Sequence, residues 1–312
     1  MKIVFMGTPD FAEKSLEAVY NAGHEILAVV TNPDRPKGRG MKMVASPVKE
    51  FAVSKDLKIY QPEKVRKNIE FIEEIKALEP DVICVVAYGK ILPKEILEIP
   101  KLGCINVHGS LLPKYRGAAP IQWAVINGEK VTGVTTMYMD VGMDTGDMIL
   151  KEKTEIAPDE TTGELWDRLA KIGADLLVKT LEQIENKTAP RIPQGEEFSM
   201  APMLDKEMSK IDWESKTAQE IKNLVRGLNP IMGTYAYLNG KKIKIWKVDV
   251  VKANSEDTKN GTVLKSDSKD GLYIKAKDGV IKVLEIQGEN AKRMNVQDFL
   301  RGNQIEVGSI FE

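Results

Sequence analysis

The first half of the chain alternates short aliphatic runs with stretches whose apolar positions recur at helical spacing. The runs KIVFM, EILAVVT and DVICVVAY are apolar almost throughout, which is typical of parallel strands covered on both faces. Amphipathic stretches at residues 11–22, 47–55 and 68–79 separate or follow them. The pattern predicts an α/β fold with an N-terminal Rossmann-like parallel sheet and helices on both faces.

Two strands and two helices continue this pattern beyond residue 100. GCINVH and VTGVTTMYM predict strands, with a helix between them that begins near Pro120 and ends at Gly128. Residues 161–186 predict one long helix, because leucine and isoleucine recur at helical spacing behind a Thr-Thr cap. Its apolar stripe indicates core packing.

The C-terminal third has a different pattern, in which short strands follow one another. After a short predicted helix at residues 217–226, Asn239-Gly240 separates two alternating runs, a strong signal for a β-hairpin. GTVLKS, GLYIKAKDG and VIKVLEIQGE continue the series. We expect a small β-barrel of the OB type, an architecture that often binds nucleic acid.

A proline-containing segment without periodicity separates the two patterns. We therefore expect an α/β domain at residues 1–189, a linker at residues 190–208 and the β-barrel at residues 209–312. A length of 312 residues agrees with two domains.

Composition excludes several classes of protein. The hydrophobic and charged fractions, 42% and 29%, are unlike those of a disordered or membrane protein. Cys84 and Cys104 lie in apolar runs, which predicts core thiols and neither a disulfide framework nor a metal site. The start, MKIVFMGTPDF, lacks the apolar stretch of a signal peptide. We expect a cytoplasmic protein without membrane contact or bound metal.

Positive charge is concentrated in one region, although the net charge is only −1. Residues 206–252 contain ten Lys or Arg and five Asp or Glu. This local excess suits a polyanionic partner. A solvated lysine-rich strand explains the feature more simply when it is taken alone.

Asn106 and His108 are the main candidates for chemistry. They lie two residues apart at the end of a predicted strand, so both side chains project from one face. The carboxyl edge of an open α/β sheet is where ligands bind. The other histidine, His24, begins a strand after a helix-ending glycine and is interpreted as structural.

An acidic residue could orient the imidazole of His108, as the carboxylate of a catalytic triad does. The glycine-punctuated segment DVGMDTGDMI offers Asp140, Asp144 and Asp147. The residues alone do not distinguish among the three, and aspartate beside glycine is also common in simple turns.

The motif N-x-H followed by GSLLPKYRGAAP and later by DTGD resembles the signature of folate-dependent formyltransferases. The catalytic residues of that family match Asn106, His108 and Asp144. The turn that contacts tetrahydrofolate in the family matches Ser110, Leu111, Leu112 and Pro113. The resemblance implies 10-formyltetrahydrofolate as a co-substrate.

Further motifs extend the resemblance along the whole chain to the members of this family that formylate methionyl-tRNA. They are GTPDFA, TNPDRPKGRG with SPVK, VVAYGKILP, MSKIDWE and GLNP. The resemblance implies a transferase that moves a formyl group from a reduced folate to the methionine of initiator methionyl-tRNA, and we expect a monomer. It implies catalysis by residues 1–189 and tRNA binding by residues 209–312.

The resemblance also suggests where tRNA binds. In the family, the loop corresponding to residues 34–42 reaches the acceptor end of the tRNA, and Arg39 matches the arginine associated with that recognition. Flanking Gly38 and Gly40 favour a loop that orders on binding. The expected tRNA-contacting residues are Arg35, Lys37, Arg39, Lys42, Lys241, Lys242 and Lys244.

Three alternatives remain open at this point. The chain could formylate a small amine, such as glycinamide ribonucleotide or an amino sugar nucleotide, or hydrolyse the formyl-folate, but a small-molecule acceptor requires neither the basic loop nor the β-rich domain. The chain could be a non-catalytic tRNA-binding protein, which an intact Asn106, His108 and Asp144 set disfavours. A dinucleotide oxidoreductase is disfavoured because the turn GTPD is not a dinucleotide-binding glycine fingerprint.

Overall fold

The computed structural model describes residues 1–37, 41–252 and 258–312, which divide into two compact units. The first unit comprises Met1–Pro120, Val131–Glu155 and Trp166–Pro202. The second comprises Ile121–Lys130, Ile156–Leu165 and Met203–Glu312. Two short segments that the sequence placed in the N-terminal domain therefore pack with the C-terminal residues.

A seven-stranded sheet forms the centre of the first unit. The strands of this unit are β1 (Lys2–Gly7), β2 (Glu25–Val30), β3 (Arg35–Lys37), β4 (Lys42–Val44), β5 (Ile59–Tyr60), β6 (Val82–Val86), β7 (Cys104–His108), β8 (Val131–Tyr138) and β9 (Met148–Glu155). Seven of them pair in the order β5-β2-β1-β6-β7-β8-β9, and β3 pairs with β4 separately. The first five of these seven strands are parallel to one another. β8 pairs in the antiparallel direction with both β7 and β9. The predicted parallel sheet is confirmed, with an antiparallel edge.

Helices cover both faces of this sheet, as predicted. They are α1 (Asp10–Asn21), α2 (Pro47–Ser54), α3 (Ile69–Ala77), α4 (Lys94–Leu97) and most of α6 (Thr162–Glu185), whereas α5 (Pro120–Ile126) belongs to the second unit from Ile121 onward. Phe71 and Ile75 of α3 pack on one face in a core shared with β1, β2 and β6. Gly173 of α6 lies against Val107 and Val134, on the opposite face of β7.

The predicted linker, residues 190–208, is not a separate connection. Up to Pro202 it belongs to the first unit, where Ile192 bridges to Met148 and Met200 bridges to Arg116. Proline has no backbone N–H, so the prolines of this segment prevent a continuous series of strand hydrogen bonds. Isolated bridges can still form through the N–H groups of the other residues. The sequence therefore predicted correctly that this segment is irregular. It did not show that the segment belongs to the first unit.

The second unit is built on an antiparallel sheet. Its elements are a 3₁₀ turn (Lys206–Ser209), α7 (Ala218–Gly227), β10 (Thr234–Leu238), β11 (Lys241–Val251), β12 (Val263–Asp267), β13 (Gly271–Lys275), β14 (Val280–Gln287), β15 (Met294–Asn295) and α8 (Val296–Gly302). The strand order is β10-β11-β14-β13-β12, with β15 on β14. Asn239 and Gly240 both have positive φ, +50° and +74°, as the predicted hairpin requires.

The last residues of the chain connect the two edges of this sheet. The backbone N–H of Tyr237 donates to Glu312 at 2.7 Å, and that of Val263 donates to Ser309 at 2.8 Å. A β-rich C-terminal domain is thus confirmed. Within the described ranges, no helix is both long and apolar enough to cross a membrane.

Candidate functional site

Strand β7 presents Asn106 and His108 at its carboxyl end, on one face, as the sequence predicted. β7 lies between β6 and β8, so its side chains are enclosed by neighbours on both sides. His108 is only 6% exposed, and Asn106 is half-buried. A largely buried imidazole needs polar partners, which the surrounding turns supply.

Asp144 is the carboxylate that completes the cluster. Its Oδ2 lies 3.6 Å from Nδ1 of His108, and its Oδ1 accepts from the side-chain amide of Asn106 at 3.4 Å. The backbone N–H of Gly117 also donates to Oδ2, at 2.8 Å. The structure therefore brings together the three residues that match the family's catalytic set.

The other two aspartates of this segment have different surroundings. Asp140 accepts from the N–H of Gly142 at 2.9 Å and from Oγ1 of Thr145 at 2.6 Å, so it stabilises its own turn. Asp147 forms an ion pair with Arg191 at 3.6 Å. The contacts therefore distinguish Asp144 from Asp140 and Asp147, a choice that the sequence alone left open.

Both ring nitrogens of His108 face oxygen atoms. Nε2 lies 2.8 Å from the main-chain carbonyl of Tyr115, and Nδ1 faces Asp144. Because a carbonyl only accepts hydrogen bonds, Nε2 carries the proton in this contact. An imidazolium carries an N–H on both nitrogens, so it can donate to the Tyr115 carbonyl and form an ion pair with the Asp144 carboxylate. The arrangement is thus suited to hold the protonated form of His108 after it has accepted a proton.

The turn expected to contact folate is partly enclosed. Ser110 is fully buried and its Oγ donates to the carbonyl of Lys114 at 2.6 Å, while Leu112 is 1% exposed. Leu111 and Pro113 are half-buried. Of the four side chains, only these two have exposed surface to offer a ligand, and the folate role of the turn stays a prediction.

The two cysteines are free and buried, as the composition indicated. Burial raises the pKa of Cys104 to about 12 and raises that of Cys84 still further above its ordinary value. Both thiols therefore stay protonated at neutral pH and pack as apolar groups. No cluster of His, Cys, Asp and Glu suited to a metal ion occurs among the described residues.

The expected tRNA-binding loop is described only at its two ends. Arg35 pairs with Val44 and Lys37 with Lys42 in the β3–β4 ladder, so short strands flank the loop. Arg35 and Lys42 are exposed. Arg39, with Gly38 and Gly40, lies outside the described residues.

Asp34 anchors the start of this loop. Its carboxylate accepts from Nζ of Lys49 at 2.7 Å and from Nε2 of Gln61 at 2.8 Å. The hydrogen bond from Lys49 is the largest cause that holds the pKa of Asp34 below its usual value. The loop thus begins from a fixed point on the first unit.

The predicted basic residues of the C-terminal unit do not all share one face. Lys242 and Lys244 alternate with buried residues of β11 and face the same side, whereas Lys241 has the opposite parity and is exposed at the strand end. Nζ of Lys242 lies 3.5 Å from the ring centre of Tyr235, and Nζ of Lys244 lies 5.1 Å from that of Trp246. Cations and half-buried rings therefore form one mixed surface, of which the sequence pattern indicated only the lysines.

Two functional candidates escaped sequence reasoning altogether. Gln194 contacts the turn that carries Asp144, and Arg116 contacts Gln194. Arg116 stands inside the motif KYRGAAP, but Gln194 lies in the segment interpreted as a linker. No periodicity or motif distinguishes such a residue.

Comparison with known proteins gives matches over both units. A model of the formyl transferase family matches residues 1–181, and a model of the formyl transferase C-terminal domain matches residues 203–304. A protein of Clostridioides difficile named methionyl-tRNA formyltransferase is 55% identical over 99% of both chains. One of the same name from Ruminiclostridium cellulolyticum is 52% identical over 99% of this chain and 98% of its own.

A solved structure shares the fold at much lower identity. It is an N-formyltransferase of Helicobacter canadensis in complex with folinic acid and dTDP-3-aminofucose, with a TM-score of 0.66 and 20% identity. It aligns over 94% of this chain and 100% of its own. Because the family models and the named relatives match both units, the chain belongs to the formyl transferase family.

Proposed function

We propose that the chain transfers the formyl group of 10-formyltetrahydrofolate to the α-amino group of methionine on initiator methionyl-tRNA. The product, N-formylmethionyl-tRNA, serves translation initiation, so we expect the protein to act in the cytoplasm. The observation that carries the proposal is identity of 52–55% with methionyl-tRNA formyltransferases over both units. The first unit, which extends to Pro202, performs the transfer, and the second unit, with Met203–Glu312, binds tRNA.

The reaction requires one proton to be removed and one negative charge to be stabilised. The nucleophile is an α-amine with an ordinary pKa of roughly 7.7 to 8.0, so much of it is unprotonated near neutral pH. When it adds to the formyl carbon, the nitrogen becomes cationic and the carbonyl oxygen becomes anionic. When the carbonyl re-forms, the bond between the formyl carbon and the folate nitrogen breaks, and that nitrogen takes up a proton, which balances the proton lost by the amine.

Asn106 is suited to stabilise the oxyanion. Its side-chain amide contacts Asp144 at 3.4 Å, a long hydrogen bond that leaves the N–H groups able to turn to a better acceptor. An oxyanion is such an acceptor, because hydrogen bonds to charged oxygens are shorter and stronger. One such donor typically contributes about 3 kcal/mol to transition-state stabilisation.

His108 is suited to take the proton from the attacking amine, directly or through a water molecule. Because Nε2–H donates to the carbonyl of Tyr115, Nε2 can act as the base only after this contact opens and the ring carries its proton on Nδ1, toward Asp144. Asp144 orients the ring and stabilises the imidazolium that results. A positioned base contributes about 10²- to 10⁴-fold to the rate.

Two surfaces support tRNA binding. In the first unit, Arg35 and Lys42 are exposed, and by sequence Lys37 and Arg39 belong to the same loop; the second unit offers Lys241, Lys242 and Lys244. Near Lys242 and Lys244, the rings of Tyr235 and Trp246 add aromatic surface. Lysines bind phosphates and aromatic faces stack on bases, so the combination fits a nucleic acid better than a small amine.

Mass spectrometry of the aminoacyl group tests the function directly. The protein is incubated with 10-formyltetrahydrofolate and either initiator or elongator methionyl-tRNA. We expect formylmethionine on the initiator species alone. Absence of product on both would overturn the proposal and favour a small amine as the acceptor.

Asn106→Ala and His108→Ala test the assigned roles in the same assay. Each should reduce kcat by about 10²-fold or more, because each removes a group that acts in the transition state. Affinity for methionyl-tRNA, measured by filter binding, should stay nearly constant. A large loss of tRNA affinity in either variant would contradict these roles.

A further inference from the structure

Gln194 contacts the backbone of the turn that carries Asp144. Its Nε2 donates to the main-chain carbonyl of Asp144 at 2.8 Å and to that of Gly146 at 2.9 Å. A single amide thus holds carbonyl groups at two points of the turn. Gln194 reaches them from residues 190–202, the part of the first unit that follows α6.

Arg116 determines which way the Gln194 amide faces. Its Nε donates to Oε1 of Gln194 at 2.9 Å, and a guanidinium has no acceptor. The oxygen of Gln194 must therefore face Arg116, which directs both N–H groups toward the turn. Arg116 is 8% exposed, and its guanidinium stacks 4.6 Å from the ring centre of Phe198.

Arg116 is itself held by the backbone. Its N–H donates to Ser199 at 2.8 Å, and its carbonyl accepts from the N–H of Ala201 at 2.7 Å. The next residue, Gly117, donates to the Asp144 carboxylate. The same short stretch thus holds the carboxylate directly and the turn behind it through Gln194.

The turn needs such support. Asp144 has φ of +54°, a left-handed conformation that residues with a Cβ disfavour. The preceding side chains Val141 and Met143 are 76% and 57% exposed, so little packing holds that side of the turn. Hydrogen bonds from Gln194 to its carbonyls therefore add to those that Asp140 accepts within the turn and those that Gly117 and Asn106 donate to the carboxylate.

We propose that Gln194 is a positioning residue for the formyl transfer, which it supports by fixing the Asp144 turn, with Arg116 orienting the Gln194 amide. The inference rests on the proposed function, because it requires Asp144 to act on His108. It assigns an active-site role to a segment that lies outside every motif of the sequence. A purely structural role for Gln194 is the alternative that the experiment must exclude.

Two substitutions of Gln194 separate its donor function from its bulk. Gln194→Ala removes both donors and the acceptor. Gln194→Glu keeps a side chain of the same size and an acceptor for Arg116, but its carboxylate cannot donate to the two carbonyls. Glu196→Ala, at an exposed position two residues further on, is the matched control.

Both Gln194 variants should lower kcat for formyl transfer by about 10- to 100-fold, since displacement by about 1 Å has effects of that size. KM for 10-formyltetrahydrofolate and for methionyl-tRNA should change little, and Tm should match that of Glu196→Ala. Normal turnover in Gln194→Glu would overturn the proposal. So would a loss of turnover accompanied by an equal loss in the control.

A double-mutant cycle gives the readout that a structural role would not produce. If Gln194 acts through Asp144, Gln194→Ala should have little further effect on kcat in an Asp144→Asn background. Additive losses would overturn the proposal, because they mean that Gln194 acts independently. Defects in Asp144→Asn without defects in the Gln194 variants would refute this inference alone, whereas inactive wild-type protein would refute the proposed function.

Discussion

Asp144 divides its two oxygens between different neighbours, and the chemistry of the site depends on this division. Oδ2 accepts from Gly117 and faces His108, while Oδ1 accepts from the amide of Asn106. Both oxygens thus face hydrogen-bond donors. An asparagine at this position would have to direct its NH₂ group toward one of these donors. The replacement therefore disturbs the site, although asparagine and aspartate have nearly the same shape.

Asp144→Asn should therefore lower kcat for formyl transfer by about 10²- to 10⁴-fold, by analogy with loss of the orienting carboxylate in a catalytic triad. Asp147→Asn is the matched control, because Asp147 pairs with Arg191 away from the imidazole. Single-turnover rates at saturating substrate would show the difference. Equal rates for the two variants would contradict the role of Asp144.

The sequence could predict part of this residue-level arrangement. The two-residue period of a strand placed Asn106 and His108 on one face without any knowledge of the fold. Asp144 is 36 residues beyond His108 in the chain, so its selection over Asp140 and Asp147 required either a family resemblance or the fold itself. Gln194 had neither a period nor a motif to indicate it.

Helix α7 begins with a complete capping box, which is a local feature with a measurable pH dependence. Thr217 accepts from the N–H of Glu220, and the Glu220 carboxylate accepts from both the N–H and Oγ1 of Thr217. The hydrogen bond from the Thr217 backbone is the first cause that lowers the pKa of Glu220 below its ordinary value. A lowered carboxyl pKa means that the charged form stabilises the fold.

Glu220→Ala should thus destabilise the protein at neutral pH, and the destabilisation should fade in acid. The contribution of Glu220 is fully present above its unfolded-state pKa and is lost as pH falls through the lowered folded-state pKa. Thr217→Ala, which removes the N-cap itself, should lower the free energy of unfolding by about 1 kcal/mol. Urea denaturation between neutral and acid pH checks both, and a Glu220→Ala effect that does not depend on pH would contradict the assignment.

Sequence patterns located the longer elements well and missed the short or edge elements. The long helix was expected at residues 161–186 and is observed at Thr162–Glu185, because its apolar stripe spans many turns. β9 was not predicted, since most of MILKEKTE is charged or exposed at the edge of the sheet. The brief helix α8 was also missed, having too few turns to show a period.

At the scale of the whole molecule, the change from helical to alternating periodicity correctly separated an α/β sheet from a β-rich region. It could not show that β11 pairs with β14 and not with its neighbour in sequence, β12. It also could not show that the last residues bridge Leu238 and Thr262. Such pairings are decided by which apolar faces meet across a long separation in the chain, and the hairpin signal at Asn239-Gly240 carries no such information.

The net charge of −1 also conceals a local property that bears on the proposed partner. Lys242 and Lys244 share the face of β11 that carries Trp246, with Tyr235 opposite on β10. If this face contacts tRNA, replacing both lysines by alanine should weaken binding. It should also reduce the slope of log Kd against log salt by about 1 for each phosphate that the protein no longer neutralises.

A paired control distinguishes this effect from the general loss of two charges. Lys76 and Lys94 are exposed lysines of the first unit, outside the proposed tRNA surfaces, so their double alanine variant changes the net charge equally. Filter binding of methionyl-tRNA across a series of salt concentrations measures both slopes. We expect a reduced slope only for the Lys242 and Lys244 pair, because neutralising a phosphate releases counterions and distant charge does not. Equal slopes for the two double variants would show that the face with Lys242 and Lys244 does not contact tRNA. The loop that contains Arg39 would then be the remaining proposed tRNA surface.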